Sequence, residues 1–426
     1  MQCAMLMNRC WALEVKLVDG ENNMAKIVGL VGKANVGKST FFGAATLKPV
    51  EIAGFPFTTL KAEMGVGYVR SPCVCTELGV KDDPQNSACV DGIRLVPVEL
   101  IDTPGLIPGA HEGKGLGNQF LDEVRRADAL IVVADASGAT NLQGQVVDPL
   151  TNDPIDDVKM FEYEFDQWLS ALIMKDWTRV SRGASSAKEH IAKHLEEKLT
   201  GLGITRGHIT HAVNEAGIEG SKSSHWSEEE FARFIVELRK AAKPLIVAAN
   251  KADRDGAEEN IERMRAAGYL VVPTCAEAEL ALRRANEAGL VDYTPGDSDF
   301  TIKEPEKLSK GQINALEKIR EKVFKKWGGT GLQKVLNTAF FELLNMIVAY
   351  PVENAEKLTN HDGQVLPDCF LVPKGTTAKQ FAGVIHTELA ESFIYAMNAR
   401  TKRRMKDTYE LEDGDIIQIV SAKSRR

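Results

Sequence analysis

The sequence predicts an α/β fold: a mostly parallel sheet with helices on both faces, opened by a helical insertion and followed by a small β-rich domain. Three observations carry the prediction. Short apolar runs rich in β-branched residues recur at Lys26–Val31, Leu95–Ile101, Ala129–Ala134, Leu245–Ala249 and Leu270–Val272, as suits strands buried on both faces. Between Ala134 and Leu245 they give way to a charged, strand-poor stretch with helical apolar spacing. Beyond about Asn345 short strands return around one helix. A chain of 426 residues accommodates two to four domains of roughly 100–200 residues. With 44% hydrophobic and 26% charged residues, collagen-like, disordered and coiled-coil classes fall away. The net charge of −8 gives no global attraction to nucleic acid or anionic membrane, so such a contact needs a local basic patch. Seven cysteines are ordinary intracellular usage rather than a disulfide scaffold. No run approaches the ~20 apolar residues of a membrane span, so the expectation is a soluble, cytoplasmic protein.

In chain order, residues 1–23 lack the charged start and unbroken apolar core of a signal peptide. They read as an extension ahead of Met24, which directly precedes the first strand. Residues 24–153 are expected to form the first part of an α/β domain. Pro97 lies inside the second run, which makes that strand an edge strand or moves its start later. Residues 154–240 read as the helical insertion: Val158, Phe161, Phe165, Trp168, Leu169 and Leu172 are spaced three and four apart on one helix face, with further helices near Ala187–Leu199 and Glu228–Ala242. Residues 241–344 return to the sheet and end in the stripe Leu332, Val335, Leu336, Ala339, Phe340, Leu343 and Leu344, entered through Gly328-Gly-Thr-Gly331. Residues 345–426 form the tail domain, with strands at Cys369–Val372 and Asp415–Val420 around a helix from Ala378 to about Ala390.

The first strand runs into Gly32-Lys-Ala-Asn-Val-Gly37-Lys38-Ser39, which fits G-x-x-x-x-G-K-[ST]. Its glycines permit a tight loop whose N–H groups cradle phosphate oxygens. Lys38 reaches the β and γ phosphates, Ser39 offers a hydroxyl to Mg²⁺, and the helix beginning near Lys38 turns its positive end to the anion. Asn35, Val36 and Thr40 complete the nucleotide-contacting stretch. Asp102-Thr-Pro-Gly105 follows the strand ending at Ile101; an acid there holds the Mg²⁺ shell, and the Gly105 N–H senses the γ-phosphate. Asn250-Lys-Ala-Asp253 follows the strand Leu245–Ala249. A carboxylate at Asp253 accepts from guanine N1–H and N2, which adenine cannot supply, while Asn250 braces the loop and the Lys251 stem covers the ring. Cys275-Ala276-Glu277 follows the next strand and offers a backbone N–H to guanine O6. Each tetrapeptide alone is weak. Their fixed order, each at the carboxyl end of a strand, is strong, because open α/β sheets bind ligands there.

On these residues the chain resembles a P-loop GTPase of the Obg class, and within it the archaeal form of the YchF subfamily, over about Met24 to Ala422. The resemblance rests further on Asn35-Val36, on Gly54-Phe-Pro-Phe-Thr58-Thr59, similar to switch I, and on Gly109-Ala-His111-Glu-Gly-Lys-Gly-Leu-Gly117-Asn-Gln-Phe, similar to a Gly-rich switch II. In the tail, Val372-Pro-Lys-Gly-Thr376, Gly383-Val-Ile-His386-Thr and Glu412-Asp-Gly-Asp415 are similar to a TGS domain, a β-grasp module. The resemblance implies Thr59 as the switch I residue closing over Mg²⁺, with Thr58 the runner-up, and a ribosome-associated role. Leu106 stands where Ras-like enzymes place a water-orienting Gln, so hydrolysis is expected to be slow or to lean on another group. Asn35 implies a K⁺ ion supplying charge near the phosphates, and His111 is a catalytic candidate in switch II. Asp253 argues for GTP, although some members of the subfamily prefer ATP.

Two constellations remain. Cys73, Cys75 and Cys89 lack a fourth ligand at usable spacing, so they read as buried or loop thiols. Ser392–Lys406 carries Arg400, Lys402, Arg403, Arg404 and Lys406 without an acid, and the chain ends Lys423-Ser-Arg425-Arg426. In an acidic chain that patch stands out, and its place in a module similar to a TGS domain, a family linked to translation machinery, implies contact with an RNA phosphate backbone. Lys322, Lys325 and Lys326 beside Trp327 read as a solvated helix face.

Overall fold

A computed structural model describes residues 26–47, 63–114, 120, 123–187 and 191–422, with backbone alone at 183–187 and 221. The expectations for the N-terminal extension, Thr58 and Thr59, residues 115–119 of switch II and Lys423–Arg426 lie outside those residues.

Strand β1 (Ile27–Val31) enters helix α1 (Lys38–Thr46) through the glycine loop. There follow β2 (Glu63–Pro72), the short α2 (Val74–Leu78), β3 (Ala88–Val90), β4 (Ile93–Asp102) and β5 (Ala129–Asp135). The insertion comprises α3 (Pro154–Met174), α4 (Trp177–Ala187), α5 (Ile191–Leu199), α6 (Arg206–Glu215) and α7 (Glu228–Ala242). Asp153 caps α3 and Ser227 caps α7 with a reciprocal Glu230 bond, which satisfies free N–H groups in the first turn of each helix. The chain returns through β6 (Leu245–Asn250), α8 (Ala257–Ala266), β7 (Val271–Pro273) and α9 (Ala276–Glu287). After the hairpin β8 (Val291–Asp292) and β9 (Thr301–Ile302) come α10 (Lys310–Ile319) and α11 (Leu332–Asn337). The Leu332–Leu344 stripe is helical as predicted, but its second half, Thr338–Leu343, widens into a π-helix.

The main sheet has the order β2-β4-β1-β5-β6-β7, with β3 also on β4. β1 pairs in parallel with β4 and β5, and β6 with β5 and β7; β2 and β3 run antiparallel to β4. β4 is therefore no edge strand, and it starts earlier than Pro97 suggests. The proline is tolerated because β1 pairs only with Glu99–Asp102, so Pro97 lies where β4 has no partner on that side. β2 is not legible in the sequence because Gly65 and Gly67 interrupt its apolar run. Gly65 lets α1 approach the sheet, since a Cβ there would stand 2.6 Å from the Phe42 ring, and Gly67 makes room for the β4 side chain Leu100, which a Cβ there would meet at 2.8 Å.

β5 separates two cores. Leu130, Val132 and Ala134 face α3, α7 and α8, while Ala129, Ile131 and Val133 face α1, α9 and α11. The tail is a five-stranded sheet of order β11-β10-β14-β12-β13, built from β10 (Met346–Val352), β11 (Phe370–Pro373), β12 (Phe393–Asn398), β13 (Arg404–Met405) and β14 (Asp415–Ser421). Its helix is split at His386 into α12 (Ala378–Ile385) and α13 (Thr387–Glu391). β10 is buried on both faces: Met346, Val348 and Tyr350 join the core around Phe41 and Val96, while Ile347 and Ala349 pack on α12 through Phe381. Among the described residues no helix is long and apolar enough to cross a membrane.

Candidate nucleotide site

The carboxyl ends of β1, β4, β5 and β6 converge. At β1 the loop turns through Gly32 (φ 143°), Asn35 (φ 64°) and Gly37 (φ 95°). No side chain fits at either glycine, since a Cβ on Gly32 would lie 2.4 Å from the Val133 carbonyl and one on Gly37 2.3 Å from Asn250 Nδ2. Lys38 is buried, and its Nζ donates to the Lys33 carbonyl at 2.8 Å. Ser39 Oγ donates to Asp102 Oδ2 at 2.9 Å, while Asp102 Oδ1 is buried with no hydrogen-bond partner. Burial drives the Lys38 ammonium down to about 8 against the pull of Asp102. Burial likewise lifts Asp102 to about 6, against Lys38 and Ser39. Val36 packs its side chain in the core, so only its backbone faces the site; Thr40 is half-buried in the first turn of α1.

Gly105 approaches the loop closely, its Cβ position 3.2 Å from Ala34 N. Leu106 is buried and its N–H donates to the Gly32 carbonyl at 3.0 Å. This position is thus a structural brace, in keeping with its inability to orient water. His111 is held against the insertion. Its Nδ1 lies 2.6 Å from Glu164 Oε2 on α3, and its ring meets Tyr163 edge-on. Glu164 also accepts from the Gly109 N–H at 2.6 Å and the His111 N–H at 2.9 Å. Burial opposes ionisation of Glu164, but these donors hold its carboxyl below the usual range.

The base-facing loop is tied to the phosphate loop. Asn250 Nδ2 donates to the Val36 carbonyl at 2.9 Å, and Lys251 Nζ donates to the Asn35 carbonyl at 2.9 Å and to Asp135 Oδ2 at 2.7 Å. Lys251 therefore knits loops together here, and its φ of 61° marks the tight turn. Asp253 is half-buried, with Oδ1 3.1 Å from the Cys275 thiol that donates to it. The expectation of a backbone N–H for guanine O6 needs correction at two positions. The Cys275 N–H is taken by the Thr330 carbonyl at 2.9 Å, and the Ala276 N–H by Asn250 Oδ1 at 3.0 Å, so of the three only the Glu277 N–H stays a candidate.

Other residues of the site escape a reading of the sequence. Asp135 closes β5 and gathers Ser137, Thr140 and Lys251; its place at a strand's carboxyl end is a usable signal. Asp157 on α3 meets Lys33 Nζ at 2.6 Å with both side chains buried, and burial, outweighing the Lys33 ammonium, raises its carboxyl to about 6. Asp157 and Glu164 stand seven residues apart beside the apolar stripe of α3, a spacing that puts both on one helix face. Thr330 belongs to the glycine-rich break that reads in the sequence only as a helix boundary. Asn35 Nδ2 donates to the Gly144 carbonyl at 2.7 Å. As expected, Lys322, Lys325 and Lys326 are exposed, pairing with Asp255, Glu321 and Glu258.

Family models match along the chain: a "50S ribosome-binding GTPase" over residues 27–161, an "Obg-like GTPase YGR210-like, G4 motif-containing domain" over 248–354, and a "TGS domain" over 358–421. A GTP-binding protein of Methanocaldococcus jannaschii, MJ1332, is 48% identical over 93% of this chain and 99% of its own. The ribosome-binding ATPase YchF of Escherichia coli O157:H7 is 26% identical over 92% of this chain and 98% of its own. The crystal structure of a GTP-binding protein from Pyrococcus horikoshii OT3 covers 93% of this chain and 99% of its own, with a TM-score of 0.72 at 36% identity. The ordered phosphate, DTPG and NKAD loops on this sheet, followed by a TGS domain, make this chain a member of the Obg-like, YchF-related family of P-loop GTPases.

Proposed function

We propose that the protein binds GTP and hydrolyses it to GDP and phosphate, as a conformational switch read by the helical and TGS elements. The observation that carries this reading is the bracing of the NKAD loop onto the phosphate loop through Asn250 and Lys251. It fixes the base-reading carboxylate relative to the phosphate cradle. Gly32, Gly37 and the backbone of Asn35–Thr40 hold the phosphates, Lys38 neutralises their charge, and the Gly105 N–H meets the γ-phosphate. The unpartnered Asp102 Oδ1 beside Ser39 fits Mg²⁺, for which Ser39 and Asp102, with Thr59 from switch I, are the proposed holders. Mg²⁺ would supply charge neutralisation at the phosphate oxygens. The Asn35 amide oxygen is the atom proposed to face K⁺.

The second reading is ATP, as in the relatives named YchF. It is favoured by one observation: the Cys275 and Ala276 N–H groups are already taken. Competition for bound labelled GTP decides between them. Displacement by GDP but not by equimolar ATP, lost in Asp253→Ala, is the expected result; equal displacement by ATP overturns the assignment. Turnover measured with and without ribosomes, in potassium and in sodium, tests the activation that Leu106 implies. The proposed partner is the ribosome or another structured RNA, met through the TGS domain.

A further inference from the structure

One group of thiols singled out in the sequence gains a neighbour in the structure. Cys73 and Cys75 are buried and Cys89 half-buried, as expected, and a fourth candidate donor, Asp82, joins them, with the four donor atoms all within 4.8 Å of one another. Cys75 Sγ and Cys89 Sγ are 3.7 Å apart, and Cys73 Sγ is 3.2 Å from Asp82 Oδ2. A tetrahedral zinc site with Zn–S of about 2.3 Å has S···S edges of about 3.8 Å. Cys73 lies at the turn from β2 into α2, Cys75 in the first turn of α2, Asp82 in the loop after it and Cys89 on β3. We propose that Cys73, Cys75, Cys89 and Asp82 form a structural site for a thiophilic divalent metal, zinc foremost, at the joint between the main sheet and the TGS domain.

Binding replaces the protons of three thiols. The metal takes three thiolates and one carboxylate, releases three protons, and leaves a complex of net charge −2. A buried counter-charge stands beside it. Arg94 is fully buried, with its guanidinium 2.8 Å from Asp82 Oδ2 and 3.5 Å from Cys369 Sγ. Asp82 already pairs with that buried guanidinium, and Arg94 would also offset part of the net negative charge that metal-bound thiolates add beside it. Metal ligation would tie the Asp82 loop, which has few apolar residues, to α2 and β3 through the three thiols.

What the site would hold is the TGS segment 365–369. The loop carrying Asp82 bonds it directly: Asp83 N–H to the Val365 carbonyl at 2.8 Å, Gln85 N–H to the Pro367 carbonyl at 2.6 Å, and Asn86 to both backbone groups of Cys369. Glu77 on α2 adds an ion pair to Arg400 at 2.8 Å. All four cluster residues thus flank backbone that joins the two sheets.

The test uses full-length protein isolated from zinc-replete cells without chelator. Elemental analysis is expected to give about one zinc per chain. After exchange for cobalt, intense visible ligand-field bands with near-ultraviolet thiolate charge transfer are expected. Asp82→Asn should weaken metal affinity at least tenfold, and Cys89→Ser more, with nucleotide binding as the control for folding. If either variant fails to fold, the wild-type metal content and cobalt spectrum still decide. Chelation should speed hydrogen exchange at the Asp83 and Gln85 amides. Wild-type protein with substoichiometric zinc and no charge-transfer band overturns the proposal. So does a Cys75–Cys89 disulfide in freshly isolated protein.

Discussion

Lys38 shows how much of this site is decided by burial. Its folded pKa of about 8 lies below the ordinary 10.5, so the ligand-free fold bears the cost of a buried ammonium at every pH below about 8. That cost is recovered as pH rises from about 8 to 10.5, where the unfolded chain still holds the proton and the folded one does not. A triphosphate facing Lys38 favours the charged form and raises its pKa. Nucleotide binding at pH 8 should therefore take up about half a proton per site, measured by calorimetry in two buffers of different ionisation enthalpy. Equal heats in both buffers would remove Lys38 from the phosphates. Gly331 makes a steric case at the base end. It has φ 78°, and a Cβ there would stand 1.9 Å from the Pro273 carbonyl, against rigid backbone. Gly331→Ala should cost about 1–3 kcal/mol, read as a lowered denaturant midpoint, and should weaken guanine nucleotide binding because Thr330 beside it holds the Cys275 N–H.

At the scale of elements, α3 is the lever. Asp157 grips the phosphate loop through Lys33, and two turns later Glu164 grips switch II through Gly109 and His111. One helix of the insertion therefore touches both parts proposed to sense the γ-phosphate, which offers a physical route for a two-state signal. Glu164→Ala leaves two partly buried N–H groups unpaired, at a cost of about 1–3 kcal/mol. Hydrogen exchange at residues 109–113 should accelerate in the ligand-free protein, and unchanged protection would show that the loop is held by something else. This coupling is invisible in the sequence for a definite reason. β1, β5 and β6 announce themselves by composition, and the phosphate, DTPG and NKAD loops by spacing along the chain. Asp157 and Glu164 act on residues 124 and 53 positions away, and only the packed helix brings them there. The same holds for Asp82, whose thiol partners look like an incomplete set until the loop folds back. β2 is lost for the opposite reason, since the glycines that let α1 and the Leu100 side chain pack against it also erase its apolar pattern.

For the whole molecule, the telling feature is that β10 belongs to two cores at once. The TGS sheet is thereby packed on the face of the main sheet that carries α1, and side chains such as Phe41 and Val348 belong to one buried cluster that spans the two. The proposed RNA-facing surface surrounds a groove of about 610 Å³ in that domain, lined by Arg403, Arg404 and Lys406. The patch is not uniform. Arg400 is committed to Glu77 and Lys402 to the Ala355 carbonyl, while Arg404 stacks 4.5 Å over Tyr395. Arg403 and Lys406 are exposed and are the side chains best placed to meet phosphates. Each phosphate contact removed should flatten the slope of log affinity against log salt by about 0.7–0.9. Arg403→Glu with Lys406→Glu should therefore lower ribosome co-sedimentation at least tenfold at fixed salt and reduce the slope by roughly 1.5. Because these residues stand apart from the phosphate loop, GTP affinity should stay within twofold. Co-sedimentation that survives the double reversal with its salt slope intact would move the partner-facing surface elsewhere on the molecule, with the helical insertion the next face to mutate.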